Sequence, residues 1–326
     1  MSFDLILPFL RPIEALVLDD SISEIMGNPD GSWWFERHGK LSPAPAIQFE
    51  FPALQTGLEV IANSLGKKFD VDHPMLHTQL PDGSRLAAVM PPVVRPGPAL
   101  TIRKFRQKPF TIAELIAADS ISEEMTAFLR LKVQEGETLL ISGGTGAGKT
   151  TLLNVLAGFI PDDERIVIIE DTAELRISKP NILAAECQTE SVNARVEFNT
   201  LLKGALRWRP DRIILGEVRG EEARTLLDSF NTGHGGSMAT IHANSPVKAL
   251  RRFAELAMRA HQQATRDDLA AEIGDSVSYV VQVRRYFSGR KVSEIAHVDG
   301  YDRASKTYNI EPVFALDEQP SPIYSR

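Results

Sequence analysis

The chain has 326 residues, 43% hydrophobic and 24% charged, which is enough apolar material for two ordinary cores and too much for a mainly disordered chain. Its 36 Lys and Arg against 43 Asp and Glu leave a formal charge of −7, which argues against a dedicated nucleic-acid binder with a basic domain or stripe. The single cysteine, Cys187, excludes an intramolecular disulfide and a Cys-based zinc site, and reads as a small buried hydrophobe of a cytosolic protein.

No apolar run approaches the roughly 20 residues that span a bilayer. The opening stretch MSFDLILPFLRPIEA is partly apolar, but Asp4 stands where a signal peptide is basic, and no small-residue cleavage site follows. The expectation is a chain neither inserted nor exported by this route, free to dock on something that is inserted.

Residues 1–105 are rich in proline, which interrupts long helices. One helix is expected at Leu54 to Gly66, where Leu54, Leu58, Ile61, Ala62 and Leu65 fall at helical spacing. Met75 to Val94 reads as a hairpin turning at Pro81-Asp82-Gly83, with LAAVM as its second strand. This half is expected to be a small α+β domain. Pro96-Gly97-Pro98 to Pro109 is the candidate connector, and residues 106–120 are assigned to the linker.

From Phe110 two helical patterns follow, FTIAELIAADSIS and SEEMTAFLRLKVQEG. Strand and helix then alternate. TLLIS (138–142), RIVIIE (165–170), DRIILGE (211–217) and SMATIH (237–242) are short apolar runs. The alternation predicts an α/β fold with a mostly parallel sheet covered by helices. The tail from Arg284 to Phe314 reads as two or three antiparallel strands, with turns at Ser288-Gly289 and Tyr301 to Ser305.

GGTGAGKT, Gly143 to Thr150, fits the P-loop pattern GxxxxGK[ST], with a strand before it and a helix after it. Backbone N–H groups from Gly143, Gly144, Thr145, Gly146, Ala147 and Gly148 are expected to cradle phosphate oxygens, aided by the helix that carries Thr151. Lys149 supplies charge to the β- and γ-phosphates, and Thr150 offers its hydroxyl to Mg²⁺. In RPDRIILGEVRG, Gly216 stands where many ATPases place a magnesium-binding Asp, and Glu217 ends the strand. A carboxylate there is placed to polarise an attacking water, which makes Glu217 the candidate base. IIEDTAEL ends another strand with Glu170, Asp171 and Glu174. Glu170 is assigned to Mg²⁺ or its waters, whereas Asp171 and Glu174 read better as a helix cap. NTGHGGSMATIHANSP holds His234 and His242. Both are candidate catalytic residues, with His242 expected beside the phosphates as a sensor. Metal ligation by the histidines is not expected, because no third ligand matches.

In this order and at these spacings, the P-loop, the acidic box and the segments around Glu217 and His242 resemble the secretion-superfamily traffic ATPases. The chain looks most like the TrbB-like proteins of type IV secretion and conjugal transfer, over about Arg85 to Val283. The resemblance implies a RecA-like ATPase domain at 121–326, an N-terminal domain before it, a hexameric ring, and ATP hydrolysis with Mg²⁺. It also implies inner-membrane secretion or conjugation subunits as partners and a cytoplasmic place at the inner-membrane face; the acidic balance argues against direct nucleic-acid contact. Two N-terminal-domain arginines that contact phosphates in the family correspond to Arg85, in LPDGSRLAAVMPPV, and Arg103, in ALTIRKF. The single cysteine excludes the four-cysteine subdomain of pilus-extension and type II motors, and the strand-like tail lacks the acidic helical signature of retraction motors. A pilus or type II motor and a slow nucleotide-dependent scaffold stay open as alternatives. No LSGGQ-type signature marks an ABC ATPase.

Overall fold

Proline and glycine keep the elements of the first half short, and six strands there pair into one antiparallel sheet. The computed structural model describes residues 6–37, 39–105, 108–187, 196–260 and 264–316; Asp4, used above against a signal peptide, lies outside them. The chain divides into two units, Met1–Lys108 and Pro109–Arg326.

In the first unit, a 3₁₀ segment (Leu7–Ile13) runs into α1 (Glu14–Leu18). Strands β1 (Ile22–Gly27), β2 (Trp33–Arg37) and β3 (Lys40–Pro43) form a meander, followed by α2 (Phe51–Ser64). Then come β4 (Met75–Gln79), β5 (Arg85–Val89) and β6 (Ala99–Arg103), in the sheet order β3-β2-β1-β6-β5-β4. Helix α2 starts three residues before the expected Leu54, because Pro52 suits a first helical turn. Beyond its end Gly66 takes φ +71°, a conformation that favours glycine. Leu54, Leu58, Ile61 and Ala62 from α2 share a core with Leu76, Leu86, Leu100 and Ile102. The β4–β5 hairpin forms as expected. Asp82 closes its turn by accepting from the Ser84 N–H and hydroxyl, at 3.0 and 2.7 Å.

The connector is corrected. Ala99–Arg103 is not a linker but an inner strand, hydrogen-bonded to β1 on one side and β5 on the other. Nor is 106–120 a bare linker. It contains α3 (Ile112–Ala117), whose Leu115 is buried in the core of the second unit. Thr111 and Glu114 form a reciprocal capping box at its start.

In the second unit, α4 (Glu123–Gln134) precedes β7 (Leu139–Gly143), α5 (Lys149–Ala157), β8 (Ile166–Glu170) and β9 (Ile182–Glu186). Next are α6 (Phe198–Ala205), β10 (Arg212–Val218), α7 (Glu222–Asn231), β11 (Met238–Ile241), α8 (Pro246–Ala257) and α9 (Arg266–Ser276). Strands β12 (Tyr279–Tyr286), β13 (Gly289–Asp302) and β14 (Thr307–Ala315) close the unit. The sheet order is β14-β13-β12-β7-β11-β10-β8-β9. The six strands from β12 to β9 are parallel, and β13 and β14 extend the sheet antiparallel. The α/β class read from the sequence therefore holds.

Alternate residues of the apolar runs feed opposite cores. Leu140, Val167, Ile169, Ile213 and Leu215 pack with Leu202, Leu226, Phe253 and Leu269. Leu139, Ile141, Ile166, Ile168 and Ile214 pack with Leu129, Val133, Leu153 and Leu156 on the other face. Strand β9 escaped the sequence reading because it is a half-buried edge with two alanines, which carry little strand propensity. Strand β12 begins at Tyr279, before the expected tail, and lies parallel to β7. No helix of the described residues is long and apolar enough to cross a membrane. Cys187 is buried, and burial pushes its thiol up to about 11.

Candidate nucleotide site

Strand β7 ends at Gly143, and α5 starts at Lys149 behind Gly148, which has φ +103°. A side chain on Gly143 would bring its Cβ to 2.6 Å from the Val283 carbonyl oxygen, so the strand can hand over to the loop only with glycine there. Gly146 also takes a positive φ, +68°. A Cβ built on Gly144 or Gly146 meets nothing within 4 Å, so the loop borders an open cradle. Ala147 is buried beneath it, Thr145 is exposed, and Gly148, Thr150 and Thr151 are partly buried. The fit to a nucleotide triphosphate with Mg²⁺ rests on this cradle, on Lys149 and on the hydroxyl of Thr150 in the first turn of α5.

Lys149 is buried. Its Nζ donates to the Gly144 carbonyl at 3.0 Å and stands 3.2 Å from His242 Nε2. The same His242 nitrogen lies 3.0 Å from Glu217 Oε1. One ring nitrogen cannot donate to the carboxylate and accept from the ammonium at once. Lys149 already has an acceptor in Gly144, so the consistent arrangement has Nε2–H donating to Glu217. Three parallel neighbours, β7, β11 and β10, thus bring Lys149, His242 and Glu217 to one place at their C-terminal ends, where open parallel sheets bind ligands.

Glu217 has a second partner. Arg219 Nη2 donates to its Oε2 at 2.8 Å, and Arg219 Nη1 reaches Asp171 Oδ2 at 3.1 Å. Burial works against the Glu217 charge, but the hydrogen bonds from His242 and Arg219 and their charges outweigh it, and the carboxyl is held down at about 2. Glu170 is the opposite case. It is buried, and burial pushes its carboxyl up to about 7 despite two backbone hydrogen bonds. Those bonds come from Glu174 N at 2.9 Å and Leu175 N at 3.0 Å, both to Oε1. Asp171 and Glu174 were expected to cap a helix. No helix follows them: residues 171–180 are irregular, and Glu170 gathers the N–H groups instead while Asp171 pairs with Arg219.

His234 does not join the site. Strand β11 runs beside β7 with Met238 opposite Leu139, so His234, four residues before Met238, lies at the N-terminal ends of the strands, away from the P-loop. There its Nδ1 and backbone N lie 3.3 Å from the Ser229 carbonyl, and its own carbonyl accepts from Ser237 Oγ at 2.7 Å. The expectation failed because two histidines eight residues apart with a strand between them sit at opposite ends of it. In the first unit, Arg85 and Arg103 are direct cross-strand partners on β5 and β6, and Glu24 of β1 stands opposite Arg103.

The sequence reading passed over two residues. Arg219 was legible, two positions after Glu217 in an extended segment and hence on the same side. Arg290, whose Nε donates to the Gly146 carbonyl at 2.8 Å, carried no local signal, because 144 residues of chain separate the two. Among the described residues, no three His, Cys, Asp or Glu side chains group as a metal site.

The model of the family described as type II/IV secretion system protein matches residues 10–302. The conjugal transfer protein TrbB of Rhizobium radiobacter is 36% identical over 88% of this chain and 87% of its own. The type IV secretion system protein PtlH of Bordetella pertussis is 34% identical over 89% and 94%. The ATPase DotB of Yersinia pseudotuberculosis, at 17% identity, shares the fold with a TM-score of 0.64 over 90% of this chain and 78% of that one. The chain therefore belongs to the type II/IV secretion system protein family, among the TrbB-like traffic ATPases of type IV secretion.

Proposed function

We infer that the chain hydrolyses ATP with Mg²⁺ as a hexameric ring, and so powers a type IV secretion or conjugative transfer machine. Its partners are inner-membrane subunits of that machine, and its place is the cytoplasmic face of the membrane. The observation that carries the reading is the meeting of Lys149, His242 and Glu217 at the C-terminal ends of three adjacent parallel strands. A phosphate sensor and a carboxylate within hydrogen-bond reach of the P-loop lysine suit cleavage of a terminal phosphoryl group better than passive binding.

Each residue has a distinct task in this reading. The loop from Gly143 to Gly148 binds phosphate oxygens through backbone N–H groups. Lys149 leaves the Gly144 carbonyl for the phosphates, and His242 then reports on the outermost phosphate. Glu217 orients the attacking water and takes its proton, which requires Arg219 to release it. Thr150 and Glu170 would hold Mg²⁺ and its waters, and the ion supplies charge neutralisation on the phosphates. Glu170 must lose its proton to do so, as carboxylates do when a cation binds. Arg85 and Arg103, on the strength of the resemblance, add guanidinium charge for the phosphates.

The test is phosphate release from the full chain with ATP and Mg²⁺. Wild type turns over, and Lys149→Ala does not, since it loses a charge-assisted contact to the transferring group. Equal rates in the two would remove the P-loop from the chemistry.

A further inference from the structure

The P-loop site opens sideways into a groove of about 380 Å³, lined by Gly144, His242, Ala243 and Asn244 and by Lys248, Arg251, Arg252 and Glu255 of α8. That volume is at the small end of ligand pockets. Lys248, Arg251 and Arg252 follow i, i+3, i+4 spacing and so form one face of the helix, opposite the buried Ala249, Leu250, Phe253 and Ala254. Among the described residues, no carboxylate pairs with any of these three cations. The one acid in the lining, Glu255, is drawn away by Arg266 at 3.1 Å.

The rest of the wall also suits an anion. Carbonyl oxygens facing a groove would repel one, but here they are engaged elsewhere. The Ala243 carbonyl accepts from Ser142 Oγ and Gln282 Nε2, each at 3.3 Å, and the Asn244 carbonyl accepts from Arg284 Nη2 at 3.2 Å. Three like charges along one helix face repel one another, and a bound anion relieves that cost.

We propose that this groove binds inorganic phosphate and is the stopping place of the phosphate cut from the nucleotide as it leaves the P-loop. Rival anions are the acidic side chains of a neighbouring copy. Phosphate is favoured by the lining itself: the groove begins at His242 and Gly144, both of which contact Lys149. The release role rests on the hydrolysis proposed above; the anion site does not.

The experiment titrates inorganic phosphate calorimetrically into the full chain saturated with ADP, and separately into nucleotide-free Lys149→Ala. Each is compared with a matching protein that also carries Arg251→Gln and Arg252→Gln. Both arginines are exposed, circular dichroism checks the fold, and Lys248→Gln serves as a second, independent variant. Phosphate should bind in both backgrounds and weaken about tenfold or more when the arginines are replaced. Inhibition of turnover by added phosphate should weaken in parallel. Binding that vanishes with Lys149→Ala and ignores the arginines would assign the anion to the P-loop and overturn the proposal. Arginine variants that bind phosphate normally but lose the wild-type oligomer mass in light scattering would give the cations to a neighbouring copy and overturn it too. A wild type that binds phosphate in the groove yet hydrolyses no ATP would defeat the proposed function and leave the anion site standing.

Discussion

Glu170 fills the space that a side chain on Gly216 would need: a Cβ at position 216 would stand 3.2 Å from Glu170 Cγ. Glycine in the Gly216-Glu217 pair is therefore not a gap in the site. On the reading proposed above, the carboxylate that many ATPases carry on this strand would come instead from Glu170 on the neighbouring strand, β8. Replacing Gly216 with Ala should cost about 1–3 kcal/mol, as overpacking does. Gly216→Asp should cost more, because it sets a second carboxylate beside one that is already hard to ionise. Urea denaturation of the two variants measures this, and an Ala variant as stable as wild type would show that Glu170 moves aside freely.

The two carboxylates should fail in different ways. Glu217→Gln is expected to bind ATP and to hydrolyse it about 10²–10⁴-fold more slowly, the usual loss for a general base. Glu170→Gln is expected to raise the Mg²⁺ concentration needed for half-maximal rate. Steady-state assays across a magnesium series separate the two. An active Glu217→Gln together with a dead Glu170→Gln of unchanged magnesium dependence would exchange their roles.

The burial of Glu170 should be visible in stability. Its folded pKa, about 7, lies above the ordinary 4.5, so between those values the folded chain holds a proton that the unfolded chain has released. Stability is then lost as pH rises through this window, by up to about 3 kcal/mol. Glu217, held at about 2, contributes in the opposite sense, with stability present above pH 4.5 and lost as pH falls toward 2. Urea midpoints for wild type and Glu170→Gln at pH 5 and pH 8 isolate the first effect. The variant should gain on wild type at the higher pH, and parallel behaviour would mean that Glu170 is solvated.

Arg85 and Arg103 stand side by side on β5 and β6. Arg85→Ala and Arg103→Ala should each lower turnover by more than tenfold, yet less than the 10³-fold or more of a lone arginine finger, since two residues share the charge. Arginines serving only the surface of a strand would change stability by less than about 0.5 kcal/mol and turnover hardly at all. ATPase rates, with circular dichroism to confirm folding, decide between these. Wild-type rates in both variants would leave the first unit outside the catalytic step.

The sequence by itself determined the parallel core and the P-loop, because both are local. An apolar run such as IVIIE reads as buried on both faces, and the positive φ of Gly146 and Gly148 belongs to their own loop. Only the tertiary structure decided the rest of the site. The place of His242 after its strand pointed to the phosphates, but its contact with Lys149, and the distance of His234 from the site, were set by the pairing of β11 with β7. Glu170 over Gly216 and Arg290 on Gly146 are contacts between segments far apart in the chain. Ala99–Arg103 became a strand rather than a connector because β1 and β5 offered it hydrogen bonds on both edges. Periodicity reports how a segment is buried, whereas the partner that buries it is chosen by strand order, and strand order is a property of the whole chain.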